Sequence, residues 1–245
     1  MHVADAPEPL AAAGRNRGRA AVIAGLAAFL RTRQPGERVL VAVDGVDGAG
    51  KSTFADELAS ALCAGGGRRQ ILRVGLDDFH NVRETRYRLG RSSPEGFWRD
   101  SYNLRQFTEY VLAPLSSGMP VFRDRGHDLE TDTVLDPVPV PAAADAVVIV
   151  DGLFLHREEL RGFWDYSLFL DVPFEVTAAR MAVRDGSGAV HPNAVHPNRD
   201  RYVGGQQRYF AAADPAAHAD LVLDNSREGT LRAIGARDVS YRSGP

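Results

Sequence analysis

Gly45-Val46-Asp47-Gly48-Ala49-Gly50-Lys51-Ser52 decides the fold. The stretch reads G-x-x-x-x-G-K-S, the pattern of a loop that wraps a phosphate chain. Glycines let the backbone take positive φ and approach an anion with no Cβ in the way. The loop then turns several N–H groups toward a β-phosphate, aided by the positive end of the helix that follows. Gly45, Asp47, Gly48, Ala49, Gly50, Lys51, Ser52 and Thr53 are therefore the expected nucleotide-binding set. Lys51 is expected to bridge the β- and γ-phosphates of ATP, and the Ser52 hydroxyl to ligate Mg²⁺.

The flanks supply the context this pattern needs. Arg38-Val39-Leu40-Val41-Ala42-Val43 is a β-branched run and predicts a buried strand. After the loop, Phe54, Leu58, Ala61 and Leu62 recur at helical spacing up to Cys63, and Gly65-Gly66-Gly67 stops the helix. Strand, glycine loop and helix stand in the required order.

Composition sets the bounds. A chain of 245 residues is long enough for one full core, or for one domain with a lid. It is 44% hydrophobic and 25% charged, an ordinary globular mixture. A formal net charge of −3 argues against a broad nucleic-acid surface. Cys63 is the only cysteine, so no internal disulfide forms and a reducing, cytoplasmic setting is expected. Residues 1–16, rich in Ala and Pro, are expected to be a disordered tail, with a single domain over 17–245. The apolar stretch Ala20 to Leu30 follows Arg15, Arg17 and Arg19, but it is too short to span a membrane and no small-residue cleavage site follows. It predicts a helix packed beside the first strand. No membrane partner is expected; a homo-oligomer stays open.

Downstream, Gln70 to Leu76 predicts a second strand ending in Asp77-Asp78-Phe79-His80. Ligands of open parallel sheets lie beyond the carboxyl ends of strands, so these two acids are candidates for the reacting centre. Leu104, Phe107, Val111 and Leu112 form one apolar helical face before Pro114. Pro120 to Arg125 reads as extended, and Pro137 to Pro141 as a stiff connector. Ala146-Val147-Val148-Ile149-Val150 then predicts an apolar strand ending at Asp151, the pattern of an acid that holds Mg²⁺ directly or through water. Asp165 to Asp171 is another strand, and Pro173 opens a helix carrying Arg180 and Arg184 on one face. Arginines on a mobile segment can neutralise charge that develops on a transferred phosphoryl group.

His191-Pro192-Asn193 recurs as His196-Pro197-Asn198, a duplicated loop with too few partners for a zinc site. Arg199 to Phe210 resumes as helix. Ala219 to Asp224 is the expected last strand, and Thr230 to Ala236 an expected short helix. Strands alternating with helices predict an α/β fold. Specifically, we expect a P-loop NTPase three-layer sandwich with a parallel sheet of about five strands, plus an arginine-bearing lid over about 180–208.

This order of motifs resembles the uridine kinase and phosphoribulokinase-like group of P-loop kinases over residues 37–226. The resemblance rests on the phosphate loop, on Asp77-Asp78-Phe79-His80 (similar to that group's Asp-x-Phe-Tyr) and on Asp151-Gly152 (where uridine kinases usually carry Glu-Gly). It extends to Arg180 with Arg184-Asp185 and to the closing segment Tyr209 to Asp224. It implies transfer of the γ-phosphate of ATP to a hydroxyl of a small molecule. The catalytic set it implies is Asp77 as base, Lys51, Arg180 and Arg184. The implied metal set is Ser52, Asp77 and Asp151, and the implied acceptor-binding set is Asp77, Phe79, His80, Phe122, Arg123 and His127.

Two segments depart from the group. Where uridine kinases read Asp-His-Pro-Asp-Ala-Phe, this chain has Ser92-Ser93-Pro94-Glu95-Gly96-Phe97, so the ribose-gripping Asp is Ser92. Where they read Tyr-Asp-x-x-x-His, it has Phe122-Arg123-Asp124-Arg125-Gly126-His127. A lost carboxylate and gained arginines point toward a different, anionic acceptor. The expectations are a uridine- or cytidine-like nucleoside kinase, a kinase for another small alcohol (sugar phosphate, pantothenate, nicotinamide nucleoside), or a non-catalytic nucleotide-binding regulator. No Asn-Lys-x-Asp guanine motif occurs in the chain.

Overall fold

Apolar, β-branched runs become the middle of a sheet. In the computed structural model, which describes residues 18–66, 68–184 and 199–242, β1 (Val39–Gly45) is buried at every position. The same holds for the later strands Val147–Asp151 (β3) and Tyr166–Asp171 (β4). Strands buried on both faces read as continuous hydrophobic runs because helices cover both sides. With β2 (Ile71–Gly75), β5 (Leu221–Asp224) and β6 (Arg232–Ile234), they form a six-stranded sheet in the order β6-β5-β4-β1-β3-β2. The neighbours from β5 to β2 pair in parallel. Only β6 is antiparallel, against β5.

This order places β1, and the loop that leaves it, between β3 and β4 at the centre of the sheet. Helix α1 (Arg19–Thr32) turns Val22, Ile23, Leu26, Ala27 and Leu30 inward. It packs on α2 (Lys51–Ala64), the helix after the loop. Helix α3 (Pro94–Asp100) starts at a Ser93 cap whose hydroxyl accepts from Gly96 N–H, with Pro94 at the first position. Helix α4 (Phe174–Arg184) and helix α5 (Arg199–Ala213) carry the two described ends of the expected lid. The intervening 185–198, with the His-Pro-Asn duplication, lies outside the described residues, as do 1–16.

Two expectations are corrected, and one helix runs further than its apolar face announced. The stretch Thr230 to Ala236 is not a helix: it holds β6, whose Arg232 pairs with Asp224 across the ladder at 3.1 Å. The free edge of β5 offered N–H and C=O groups, and pairing them outweighed local helix preference. Pro114 does not end its helix. Residues 104–116 run on through a π-helical turn at Thr108–Leu112. Tyr110 O, four residues before Pro114, accepts from Arg123 N–H at 3.0 Å, so the carbonyl that a proline strands has a partner. The connector at 137–141 is also more than a spacer, since Val140–Pro141 pairs with Val121–Phe122 in a two-stranded ribbon.

Candidate active site

The phosphate loop has the backbone its glycines allow. Gly48 and Gly50 take φ of 75° and 82°, in the left-handed region. At Gly45 a Cβ would lie 2.7 Å from Leu170 O, so only glycine lets β1 run on into the loop beside β4. Asp47, Gly48, Gly50, Lys51, Ser52 and Thr53 line one cleft, while Ala49 is buried behind it. Lys51 Nζ donates to Val46 O at 2.9 Å.

The acids expected from strand ends meet there. Asp151 closes β3 one strand from the loop, and Asp77 follows β2 on the far side of β3. Both line the cleft with Lys51 and Ser52. Ser52 Oγ donates to Asp151 Oδ2 at 2.6 Å. A hydroxyl beside a carboxylate is an oxygen donor set suited to Mg²⁺. Among the described residues no cluster of three or more acids, histidines or cysteines could hold a metal alone. A Mg²⁺ ion held by Ser52 and Asp151 would need further ligands, which nucleotide phosphates and water commonly supply.

Asp78 does not line the cleft. Its carboxyl is pushed above the ordinary range, by partial desolvation first and then by Asp77, with Arg125 pulling the other way and Asp124 and Asp151 adding to the rise. Structure thus separates two neighbouring acids that their place at a strand end leaves equivalent, and it is Asp77, the one the resemblance singles out, that lines the cleft. His80 turns its Nδ1 to within 2.7 Å of Asp77 O, and its ring lies 4.6 Å from that of Tyr102. Burial is the main cause that lowers its pKa.

Arg180 also reaches the cleft. Its Nη2 donates to Asn225 O at 2.8 Å and Ser226 O at 3.1 Å, which ties α4 to the end of β5. Arg184 ends α4, and its side chain lies outside the described residues.

The remaining acceptor-side residues are not gathered there. Phe79 is fully buried, edge-on to Phe107 at 5.1 Å, and belongs to the core. Phe122 is buried in the ribbon. Arg123 pairs with Asp136 at 3.0 Å, donates to Pro137 O at 3.1 Å and lies over the Tyr110 ring. His127 is buried in a hairpin, with Nε2 3.3 Å from Asp132. None of these four lines the cleft. Arg201 is also structural: it is 4% exposed, and its guanidinium donates to the carbonyls of Arg86, Gly90, Arg91 and Ser93.

Several residues that sequence reasoning passed over brace the site. Arg73 Nη2 sits 2.9 Å from Asp151 Oδ1, so both oxygens of that acid are engaged. Its signal was a lone charge inside an apolar strand. Asp44, fully buried just before the loop, accepts from Gly45 N–H, from the Tyr209 hydroxyl, and from the backbone N–H of His156, whose Nδ1 lies 2.8 Å away. Burial and the Asp44 charge push the Tyr209 phenol far above its ordinary range. Gln206 Oε1 accepts from Asp47 N–H at 2.8 Å, and Asn225 Nδ2 donates to Ala49 O at 2.7 Å. The loop is thus held from α5 and from the end of β5. No pattern in the sequence marks the last three.

No family model matches the chain. A uridine kinase from Psychromonas ingrahamii is 27% identical over 155 residues, covering 60% of this chain and 68% of that one. The solved structure of a possible uridine kinase from Bacillus stearothermophilus superposes with a TM-score of 0.64 at 22% identity, covering 82% of this chain and 96% of that one. A protein described as a candidate fructose transport system kinase from Silicibacter superposes at 0.61 with 26% identity, over 82% and 98% of the two chains. The chain has the fold of a P-loop kinase and resembles the uridine kinases. These relatives support a phosphotransferase, and they differ in what accepts the phosphate. Among the described residues no helix is long and apolar enough to cross a membrane.

Proposed function

We propose that this protein is an ATP-dependent kinase that moves the γ-phosphate to a hydroxyl of a small molecule, a uridine- or cytidine-like nucleoside first among them. The observation that carries the reading is the position of Asp77. Asp77 lines the same cleft as Lys51, Ser52 and Asp151, where a hydroxyl held for in-line attack on a bound triphosphate needs a base. Lys51 and the loop amides bind the β- and γ-phosphates. Ser52 and Asp151 would hold Mg²⁺, which supplies charge neutralisation at the phosphates. Asp77 takes the acceptor's proton. Arg180, at the rim, adds positive charge facing the nucleotide.

A second reading follows from the acceptor side. Ser92 is exposed and carries no carboxylate to grip a ribose, and Arg125 is exposed near Asp78. Both features suit a phosphorylated acceptor such as a sugar phosphate. A nucleotide-binding regulator is the third reading, and it requires no base at position 77.

The test is ADP release from Mg·ATP against uridine, cytidine, other nucleosides, pantothenate and phosphorylated sugars. A rate rise with a pyrimidine nucleoside that is lost in Asp77→Asn supports the first reading. A rise confined to phosphorylated acceptors moves the assignment to the second. Tight ATP binding with no acceptor-dependent release across the panel counts against a kinase of these classes.

A further inference from the structure

Asp77 sits just past the end of β2, on a 3₁₀ turn over Leu76–Phe79. What holds it is not its own turn. The Tyr102 hydroxyl donates to Asp77 Oδ1 at 2.9 Å, and Tyr102 is 5% exposed. Burial first, then the charge and hydrogen bond of Asp77, hold the phenol well above its ordinary pKa, so it remains a donor.

The segment that carries Tyr102 is stitched to the segment that carries Asp77. Asn81 N–H donates to Ser101 O at 2.9 Å, and Asn103 N–H donates to Phe79 O at 2.8 Å. The Asn81 side chain donates to the carbonyls of Asp100 and Tyr102, both at 3.0 Å. His80 and Tyr102 form an isolated antiparallel bridge. The Tyr102 ring lies between His80, at 4.6 Å, and Phe154, at 6.1 Å. A phenol on a ring held this way has one direction in which to point.

From this we infer that Tyr102 is a positioning residue: its hydroxyl locks the Asp77 carboxylate by Oδ1 and leaves Oδ2 to meet the acceptor hydroxyl. The inference rests on the reading of Asp77 as the base. In the step it serves, the acceptor O–H proton passes to Asp77 Oδ2 and the acceptor oxygen bonds to the γ-phosphorus. The bond from that phosphorus to the β,γ-bridging oxygen breaks, and ADP leaves with its electron pair. A rigidly held base matters because a displacement of about 1 Å can cost on the order of 10²-fold in rate. The competing account is that Asp77 merely satisfies a buried phenol.

Tyr102→Phe separates the two, because it removes the hydroxyl and keeps the ring packing. In isotope-labelled protein without any acceptor, three-bond couplings about χ1 of Asp77 should report one rotamer in the wild type and an average of several in Tyr102→Phe. A single unchanged rotamer in the variant overturns the inference. In kinetics with the fastest acceptor of the panel, Tyr102→Phe should lower kcat about 10- to 100-fold, with KM for ATP changed less than about 2-fold. In an Asp77→Asn background the same substitution should cost nothing further, since the tyrosine acts through the acid it holds. An equal loss in both backgrounds also overturns it. If Asp77→Asn itself turns over normally, the base reading falls. A normal Asp77→Asn defect with an immobile Asp77 in Tyr102→Phe removes the role of Tyr102 alone.

Discussion

The two sides of the cleft are built differently. The phosphate loop is a single uninterrupted stretch, Gly45 to Thr53, that lines the cleft through most of its residues and whose Gly48 and Gly50 take left-handed φ. The surroundings of Asp77, the proposed acceptor side, are assembled from segments far apart in the chain: His80 follows β2 with Asp77, and Tyr102 comes from the segment after α3. Backbone recognition needs only a local conformation, so it is written as a contiguous motif. Side-chain recognition needs atoms brought together by the whole fold, so it leaves no contiguous trace. This is why the comparisons agree on phosphoryl transfer and diverge on the acceptor.

Four substitutions test that contrast, from the largest effect to the smallest. Lys51→Ala strikes the contiguous side. It removes both phosphate binding and charge stabilisation, and transfer should fall by more than about 10⁴-fold. Residual turnover within a hundredfold of wild type, measured as ADP release, would leave the loop assignment untenable. Asp77→Asn strikes the assembled side and should lower kcat about 10²–10⁴-fold. ATP affinity by calorimetry should stay unchanged; a matching loss of ATP binding would mean the two sides are not separable at Asp77.

Gly205→Ala probes what joins the sides. A Cβ there would stand 2.5 Å from Phe97 Cδ1 and 3.0 Å from Pro94 O, so α5 must shift off α3. Since Gln206, next in the chain, holds the phosphate loop, the expected result is about 1–3 kcal/mol of destabilisation in a denaturant titration together with weaker ATP binding. An undisturbed melt would show that the α3–α5 contact relaxes freely. Arg123→Ala is the mildest. Its guanidinium is tied to Asp136 and Pro137 O, so stability should drop by less than about 1 kcal/mol and the acceptor KM should hold. A large KM rise for a phosphorylated acceptor would return Arg123 to the anion site that the chain's departures from the family suggested.

Legibility followed the same division. Val39 to Val43, Ala146 to Val150 and Asp165 to Asp171 announced themselves as strands because apolar side chains buried on both faces leave no alternation to misread. Asp151 and the phosphate loop were legible from those strand ends. Strand ends alone left Asp77 and Asp78 equivalent and the resemblance singled out Asp77; in the structure Asp77 lines the cleft and Asp78 does not. Phe79 and Phe122 match a family pattern, yet their rings are spent on the core and the ribbon. The segment Thr230 to Ala236 was misread because its pairing partner, the edge of β5, is a tertiary fact.

Sequence alone determined the order of β1, phosphate loop and α2, the acids that close β2 and β3, and so the class of chemistry. These follow from local rules: where glycine is required, where a run of β-branched residues must be buried, and where a strand ends. Tertiary structure alone decided that Arg73 engages Asp151, that Tyr102 grips Asp77, and that Gln206 and Tyr209 of one helix hold the loop at Asp47 and Asp44. Each of these contacts joins residues far apart in the chain. Their partners are chosen by how β2, β3, α3 and α5 stack around β1, and spacing along the sequence carries no record of that.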